Sequence, residues 1–512
     1  MNSYVISHDV GTSSVKTALV KDDGTVVASH TTSYPFQYPK PGWVEQNPED
    51  YWNGIVANTK AVLGEGKADV SKIAGIVFST QAMGIIPVSK EGRTLHTNIS
   101  WVDGRAEEQA QWLMGKLGGK NLFRKLIGCE ITGKDVIPKL RWLKQNKPEI
   151  YNNTDLFLDV NGYLKFRATG KKVMEWSGAC SYGFNLKTKD WERFVFKAAG
   201  IDIGKLPPLV RSTDLVGGLT PEAARELNLP ESIKVFGGCD DTQSAAMGSG
   251  ASGDGRAHIY LGTSAWAGVT TSRNLKHKNG AFCLQSADPE LNLMVGITES
   301  AGSNFDWLID NFYKLEKADP KIKSIYDFID SETDGIPDGS DNLIFTPWLL
   351  GERCPVSTTT TRGTIFNLGL EHNRGHMVKA MLEGIGYNLR WILDNYQKDF
   401  GFRVDMVRAI GGGSVNDKWM QGIANITGKR VETVVEPRMA GAIGAAVCAF
   451  VGSGIYKDFK EVSGLIHVKK VFDPQDDKKE IFKPLYKTYK AIYSDLKQTY
   501  RNVNLKRFNA RP

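Results

Sequence analysis

The chain has 512 residues, 41% of them hydrophobic and 24% charged, an ordinary globular balance that sets aside fibrous and disordered classes. Its net charge of +7 is spread over 64 basic and 57 acidic residues with no long Lys/Arg block, which argues against a nucleic-acid partner. Domains run about 100–200 residues, so about two to four structural units are expected.

The elements follow in chain order. Residues 4–6 read as a strand leading into His8-Asp9-Val10-Gly11-Thr12-Ser13-Ser14. Residues 15–20 alternate as a second strand, Asp22-Asp23-Gly24 is a turn, and residues 25–33 form a third strand. Asn47-Pro48 opens a helix whose apolar face is Trp52, Ile55, Val56 and Val62. A short strand at 73–79 runs into the loop Thr80-Gln81-Ala82-Met83-Gly84, and helices are expected over 105–117 and 138–144. A strand at 234–236 ends at Gly237-Gly238-Cys239-Asp240-Asp241. The pattern then restarts: a strand at 258–261, the turn Gly262-Thr263-Ser264, and a strand at 266–271. This repeat predicts two related domains, 1–245 and 246–455. Leu485, Tyr489, Ile492, Leu496 and Tyr500 at helical spacing predict a helical C-terminal segment over 456–512.

Six cysteines, Cys129, Cys180, Cys239, Cys283, Cys354 and Cys448, form no C-x-x-C pair. Their scatter argues against a disulfide framework or zinc site and for a reducing, cytoplasmic setting. His8 and Asp9 interrupt any N-terminal apolar run, against a signal peptide. The longest uncharged apolar stretch, 439–455, falls short of the roughly 20 residues of a membrane span. It is Gly/Ala-rich, which predicts a helix packed closely against other backbone. No membrane association is expected, and a homodimer is compatible with the sequence.

Two standard nucleotide motifs fail. The P-loop pattern is absent, and the G-x-G-x-x-G match at 248–253 neither follows a strand nor opens a helix. A better candidate is the Asp9–Lys16 turn. Its glycine and hydroxyl residues can aim N–H and O–H groups at phosphate, Lys16 adds a point charge, and Asp9 can hold Mg²⁺ directly or through water. An ordinary hairpin turn is the competing reading. The second Gly-Thr-Ser turn could grip a polyphosphate from the other side, and Gly411-Gly412-Gly413-Ser414 could let a base or ribose lie against backbone. His372 and His376 have metal-ligand spacing on a helix, but the residues between them look like a helix start and no third ligand is near.

Together these pieces resemble the FGGY family of carbohydrate kinases, within the actin-like ATPase superfamily. The resemblance rests on Asp9-Val10-Gly11-Thr12, Gly42-Trp43-Val44-Glu45-Gln46-Asn47-Pro48, Ser100-Trp101-Val102-Asp103-Gly104-Arg105 and Gly237-Gly238-Cys239-Asp240. It continues through Leu261-Gly262-Thr263-Ser264, Gly351-Glu352-Arg353-Cys354-Pro355, Gly411-Gly412-Gly413-Ser414 and the small-residue run at 439–446. It implies an α/β fold of two actin-like (ribonuclease H-like) domains around a deep cleft, with ATP and Mg²⁺ as cofactors and a small sugar or polyol as acceptor. By resemblance, Asp240 is the catalytic base, where the residues alone would read as a helix N-cap. Asp9 is the Mg²⁺-associated carboxylate. Thr12, Ser13, Lys16, Gly262 and Thr263 hold phosphate, and Gly411 and Gly412 meet the adenosine. Gln81, Met83, Trp101, Asp103 and Asp241 border the sugar, with the Trp101 indole as a flat wall.

The GWVEQNP and Trp-x-Asp-x-Arg stretches are most similar to xylulokinases. Three departures qualify that branch: Met83 stands where xylulokinases usually carry His, Asp241 where they carry Asn, and Cys354 where Thr is common. The Arg-Glu pair of glycerol kinases is absent from the 81–84 loop. A ketopentose is the expected substrate, with gluconate, ribulose or a tetritol as alternatives. A non-catalytic sugar sensor on the same fold is the rival of another class.

Overall fold

The computed structural model describes residues 3–66, 68–119 and 131–509; Cys129 lies outside them. The three N-terminal strands form, at Tyr4–Val10, Ser14–Lys21 and Val26–Ser33, as consecutive antiparallel neighbours. Strand Ile73–Thr80 lies parallel to the first on its other side. Strands Lys234–Phe236 and Leu215–Gly218 extend that edge, and Cys239–Asp240 pairs with the end of Ile73–Thr80, completing a seven-stranded sheet. Val5, Ile6, Val10, Val15 and Val20 are all buried, so the sheet is covered on both faces. Helices Pro48–Gly66 and Val160–Thr169 cover one face. The other is covered by Ala442, Ala445, Ala446, Ala449 and Phe450, which belong to helix Ala440–Gly452, far along the chain.

The second sheet repeats the plan. Strands Ala257–Leu261 and Ala265–Thr271 make a hairpin, Met406–Ile410 lies parallel to the first of them, and four more strands complete seven. Its core packs on the long helix Arg374–Phe400. That helix starts with a capping box in which the Asn373 and His376 side chains exchange bonds with each other's backbone. His376 also meets Asp341 at 3.0 Å, while His372 Nδ1 accepts from the Gly369 amide at 2.8 Å, so both histidines are taken up by local hydrogen bonds.

The segment after 456 departs from an all-helical expectation. Strand Val468–Phe472 pairs antiparallel with Arg430–Val434 at the edge of the second sheet, where its lysines stay exposed. Helix Lys479–Asn509 follows, and its Leu485, Tyr486, Tyr489 and Ile492 pack on Trp348 and Tyr387. Among the described residues no helix is long and apolar enough to cross a membrane.

The expected close packing of the 439–455 stretch is realised at two glycines. A Cβ on Gly444 would sit 1.8 Å from the Ser244 carbonyl oxygen, and one on Gly248 would sit 1.8 Å from that of Ala440. Helices Asp241–Gly248 and Ala440–Gly452 therefore cross backbone to backbone. Gly444→Ala should force them apart and lower stability by about 1–3 kcal/mol. An unchanged urea midpoint would show that the crossing tolerates separation.

Candidate active site

The first turn is pinned from behind. The Gly11 amide donates to the Ser14 carbonyl at 3.0 Å, closing a tight turn. Tyr34 donates its hydroxyl to the Gly11 carbonyl, and Gln46 Nε2 donates to the Thr12 carbonyl at 2.8 Å. Trp101 Nε1 donates to Thr12 Oγ1 at 3.1 Å. Ser13 is left exposed at the tip. Asp9 Oδ1 accepts from Ser79 Oγ at 2.9 Å, and Lys16 Nζ lies 3.8 Å from Asp9 Oδ2. A Cβ on Gly441 would fall 2.7 Å from Asp9 Oδ2, so the start of helix Ala440–Gly452 rests on this carboxylate.

Asp240 stands where strand Cys239–Asp240 meets helix Asp241–Gly248, in the N-cap position. It makes no side-chain cap bond, and its Oδ1 is a buried oxygen without a partner. Its backbone is held by a chain of bonds: Asp240 N–H donates to Ser177 Oγ at 2.9 Å, and the Ser177 hydroxyl and amide both donate to Glu175 Oε2. Asn161 Nδ2 bridges the carbonyls of Phe78 and Cys239, locking the neighbouring strand ends together. Burial pushes the Asp240 carboxyl well above the usual range, and the charges of Asp159, Asp241 and Glu175 push the same way. The half-buried Asp241 is pushed up to about 6 by burial and by the charge of Asp9.

The residues expected around the sugar separate into two groups. Asp103 is fully buried, and its two oxygens accept from Arg105 and from the Val44 amide, at 2.6–3.0 Å. It offers no free acceptor to a ligand, which corrects the expectation for it. It clamps the 42–46 stretch instead, with Arg105 reaching Glu45 at 2.6 Å and lying over the Trp43 ring. The GWVEQ and Trp-x-Asp-x-Arg motifs are thus two sides of one contact. Gln81 is also largely committed: it is 2% exposed, and its Nε2 donates to Gln46 Oε1 at 3.0 Å, leaving only Oε1 without a partner. Met83 is half-buried with φ 62°, a left-handed backbone that few non-glycine residues adopt. Trp101 is half-buried, tied by its indole N–H to Thr12 in the first turn.

On the other sheet, the amides of Ala301 and Ser303 donate to the Thr263 carbonyl, each at 3.0 Å, and Gly302 donates to Gly262 at 2.9 Å. Thr263 is exposed at the tip. Gly411 has φ 91°, and a Cβ there would lie 2.6 Å from the Leu261 carbonyl, so the glycine cluster abuts the second turn. Gly412 is exposed, with open space where a Cβ would point. Tyr260, on the strand leading to that turn, has its phenol pushed up by burial and by the charges of Asp9 and Asp241. It therefore stands where the two halves meet. Motif reading missed Tyr260, Ser79 and Ser177, and took Gly441 only as part of the small-residue run; all four act on the site from distant stretches of chain. Gln46 and Tyr34 carried a signal in their positions near the first turn and the 42–48 stretch.

The N-terminal domain of the FGGY family of carbohydrate kinases matches residues 4–248, and the C-terminal domain matches residues 257–453. A xylulose kinase of Bacillus subtilis (strain 168) is 32% identical over 513 residues, covering 99% of each chain. The ligand-bound xylulose kinase of Lactobacillus acidophilus superposes with a TM-score of 0.87 at 26% identity, over 97% of this chain and 99% of that one. The gluconate kinase of the same organism gives 0.86 at 26% identity, over 98% and 99%. Both family domains are matched in order over most of the length, and the chain belongs to the FGGY family of carbohydrate kinases, ATP-dependent enzymes that phosphorylate small sugars.

Proposed function

We propose that this enzyme transfers the γ-phosphoryl group of ATP to a hydroxyl of a ketopentose, xylulose first, with Asp240 as the general base. The observation that carries this reading is the Asp240 carboxylate, buried in a capping position yet making no cap bond. A carboxylate withheld from the helix it precedes is held by neither cap bond nor ion pair, which leaves it for chemistry other than capping. The hydroxyl oxygen attacks Pγ as the bond from Pγ to the β,γ-bridging oxygen breaks. The electron pair leaves with ADP, and the hydroxyl proton passes to Asp240. Burial and the neighbouring carboxylates raise its proton affinity, which strengthens it as an acceptor of the hydroxyl proton.

In this reading residues 1–245 hold the sugar and 246–455 hold most of the nucleotide. The Thr12-Ser13 turn with Lys16 and the Gly262-Thr263 turn grip the phosphates from opposite sides. Gly411 and the open face of Gly412 take the adenosine. Asp9 fits a Mg²⁺ ion, being a hard oxygen donor beside the phosphate turn. Among the described residues no three His, Cys, Asp or Glu converge to hold a metal alone, so the ion would share its shell with phosphate and water. When bound, it neutralises charge on the transferring phosphoryl group. The five described unpaired cysteines support a reducing, cytoplasmic setting.

The sugar pocket is acceptor-rich. Gln81 Oε1 and Asp241 are available and Trp101 is a wall, which suits a neutral polyhydroxyl ligand over a carboxylate. Turnover of xylulose, ribulose, gluconate and tetritols in an ADP-release assay tests the branch. Strong gluconate turnover with none on xylulose would overturn it. Met83→His supplies a hydrogen-bonding side chain at a left-handed position that His tolerates. It should raise kcat/KM for xylulose roughly fivefold, about 1 kcal/mol for one added bond. No gain would show that Met83 does not face the sugar.

A further inference from the structure

Behind Asp240 lies a cluster of ionisable groups that the transfer chemistry does not call on. Asp159, at the N-cap of helix Val160–Thr169, donates nothing and accepts from the Gly162 amide through Oδ1 at 2.7 Å. Its Oδ2 is buried without a partner, as is Asp240 Oδ1. Both oxygens look onto Gly178. A Cβ there would fall 2.2 Å from Asp159 Oδ2 and 3.5 Å from Asp240 Oδ1. Glycine alone fits, and it leaves the two carboxylates facing each other across an unobstructed gap. Lys165, from the next turns of the same helix, is fully buried, with Nζ donating to the Gly237 carbonyl at 3.1 Å. It interacts with Asp159, Glu175 and Asp240. Two and more carboxylates around one ammonium, all out of water, strongly couple their charge states.

We propose that Asp159 and Lys165 are positioning residues for the transfer reaction: a buried carboxylate and a buried ammonium, set behind Asp240, that act in opposite senses on its readiness to take the hydroxyl proton. Burial raises the proton affinity of Asp159 itself, against the pull of Lys165 and the Gly162 amide; in its ionised form it opposes a second negative charge across Gly178 and so favours the protonated base. Lys165 favours the ionised one. The other groups facing Asp240 are Asp241 and Cys239 on its own segment, and Glu175, Cys180 and Tyr182 around helix Trp176–Tyr182. Cys180, Cys239 and Tyr182 are held neutral, their protons made harder to lose by burial. Glu175, raised to about 7 by burial, is anchored on Ser177 and adds to the effect of Asp159. Lys165 is the cation that opposes these carboxylates at the base.

The inference rests on Asp240 being the base, and the experiment separates the two. The single-turnover rate of phosphoryl transfer is measured against pH for the wild type, Asp159→Asn, Lys165→Met and Asp240→Asn, each as the full chain. Asparagine keeps the Gly162 cap and the shape of Asp159, removes its charge and puts an N–H donor where Oδ2 stood, both of which favour an ionised Asp240. Its acidic limb should move down by about one unit, as expected on losing a close like charge. Lys165→Met should move the limb up by a similar amount, and Lys165→Arg should restore it. If Lys165→Met does not fold by circular dichroism, Asp159→Asn decides alone. An Asp159→Asn limb that superimposes on the wild type overturns the inference while an inactive Asp240→Asn leaves the base in place. An Asp240→Asn enzyme at the wild-type rate would instead overturn the base, and this inference with it.

Discussion

Asp240→Asn should lower kcat by about 10²–10⁴ while ATP still binds. The amide preserves the shape of the side chain, and the Asp240 N–H bond to Ser177 Oγ is a backbone contact that the substitution leaves intact. What is lost is the oxygen that accepts the proton. The structure adds a pH expectation. Because burial and neighbouring carboxylates raise the Asp240 pKa, the active, ionised form is lost as pH falls through a value above the usual carboxylate range, and is retained above it. Wild-type activity should therefore decline on acidification earlier than for an exposed aspartate. Full kcat in the mutant, measured by ADP release at saturating sugar, would sink the assignment.

Asp9→Ala should reduce kcat/KM for MgATP on the order of 10–100-fold while sugar affinity is preserved. Asp9 lies near the end of the first strand, where Ser79 and Lys16 hold it beside the Gly11–Ser14 turn. The neighbours of the proposed sugar site, Gln81 and Trp101, do not bond to it. Its removal should also lower the pKa of Asp241, since the Asp9 charge helps to raise it. Titration with Mg²⁺ at fixed ATP decides the matter: a dependence identical to wild type would leave Asp9 a structural turn residue.

Both hairpins with their Gly-Thr-Ser turns were legible from the chain, because each is a local unit with its strands and turn within about 20 residues. Asp9 and the glycine cluster stood out as candidates at strand ends, whereas Asp240 read as a helix cap and became a candidate only through the family resemblance. What escaped was set by contacts between distant stretches. Asp103 looks like a free acceptor until Arg105 and the Val44 amide are seen to occupy it. Asp240 looks like an ordinary cap until its cap bond proves absent. The charge cluster of Asp159, Lys165 and Glu175 joins a helix start, a helix interior and a strand, three places that no periodicity connects. Strand Val468–Phe472 is too short, and too rich in lysine, to stand out from its flanks.

Helix Ala440–Gly452 covers one face of the sheet built by the N-terminal half. During synthesis, that sheet leaves the ribosome roughly 190 residues before its cover, the interval from Gly248 to Ala440. At bacterial or eukaryotic elongation speeds this is a wait of roughly 10–40 s. Through that interval Val5, Ala18, Val20, Val77 and Phe236 have no partner for their outer face, and nascent chains would present them to chaperones or to one another. A stop codon after residue 256 would make the wait permanent and yield an insoluble product, whereas supplying residues 257–512 as a separate chain in the same cell should rescue it.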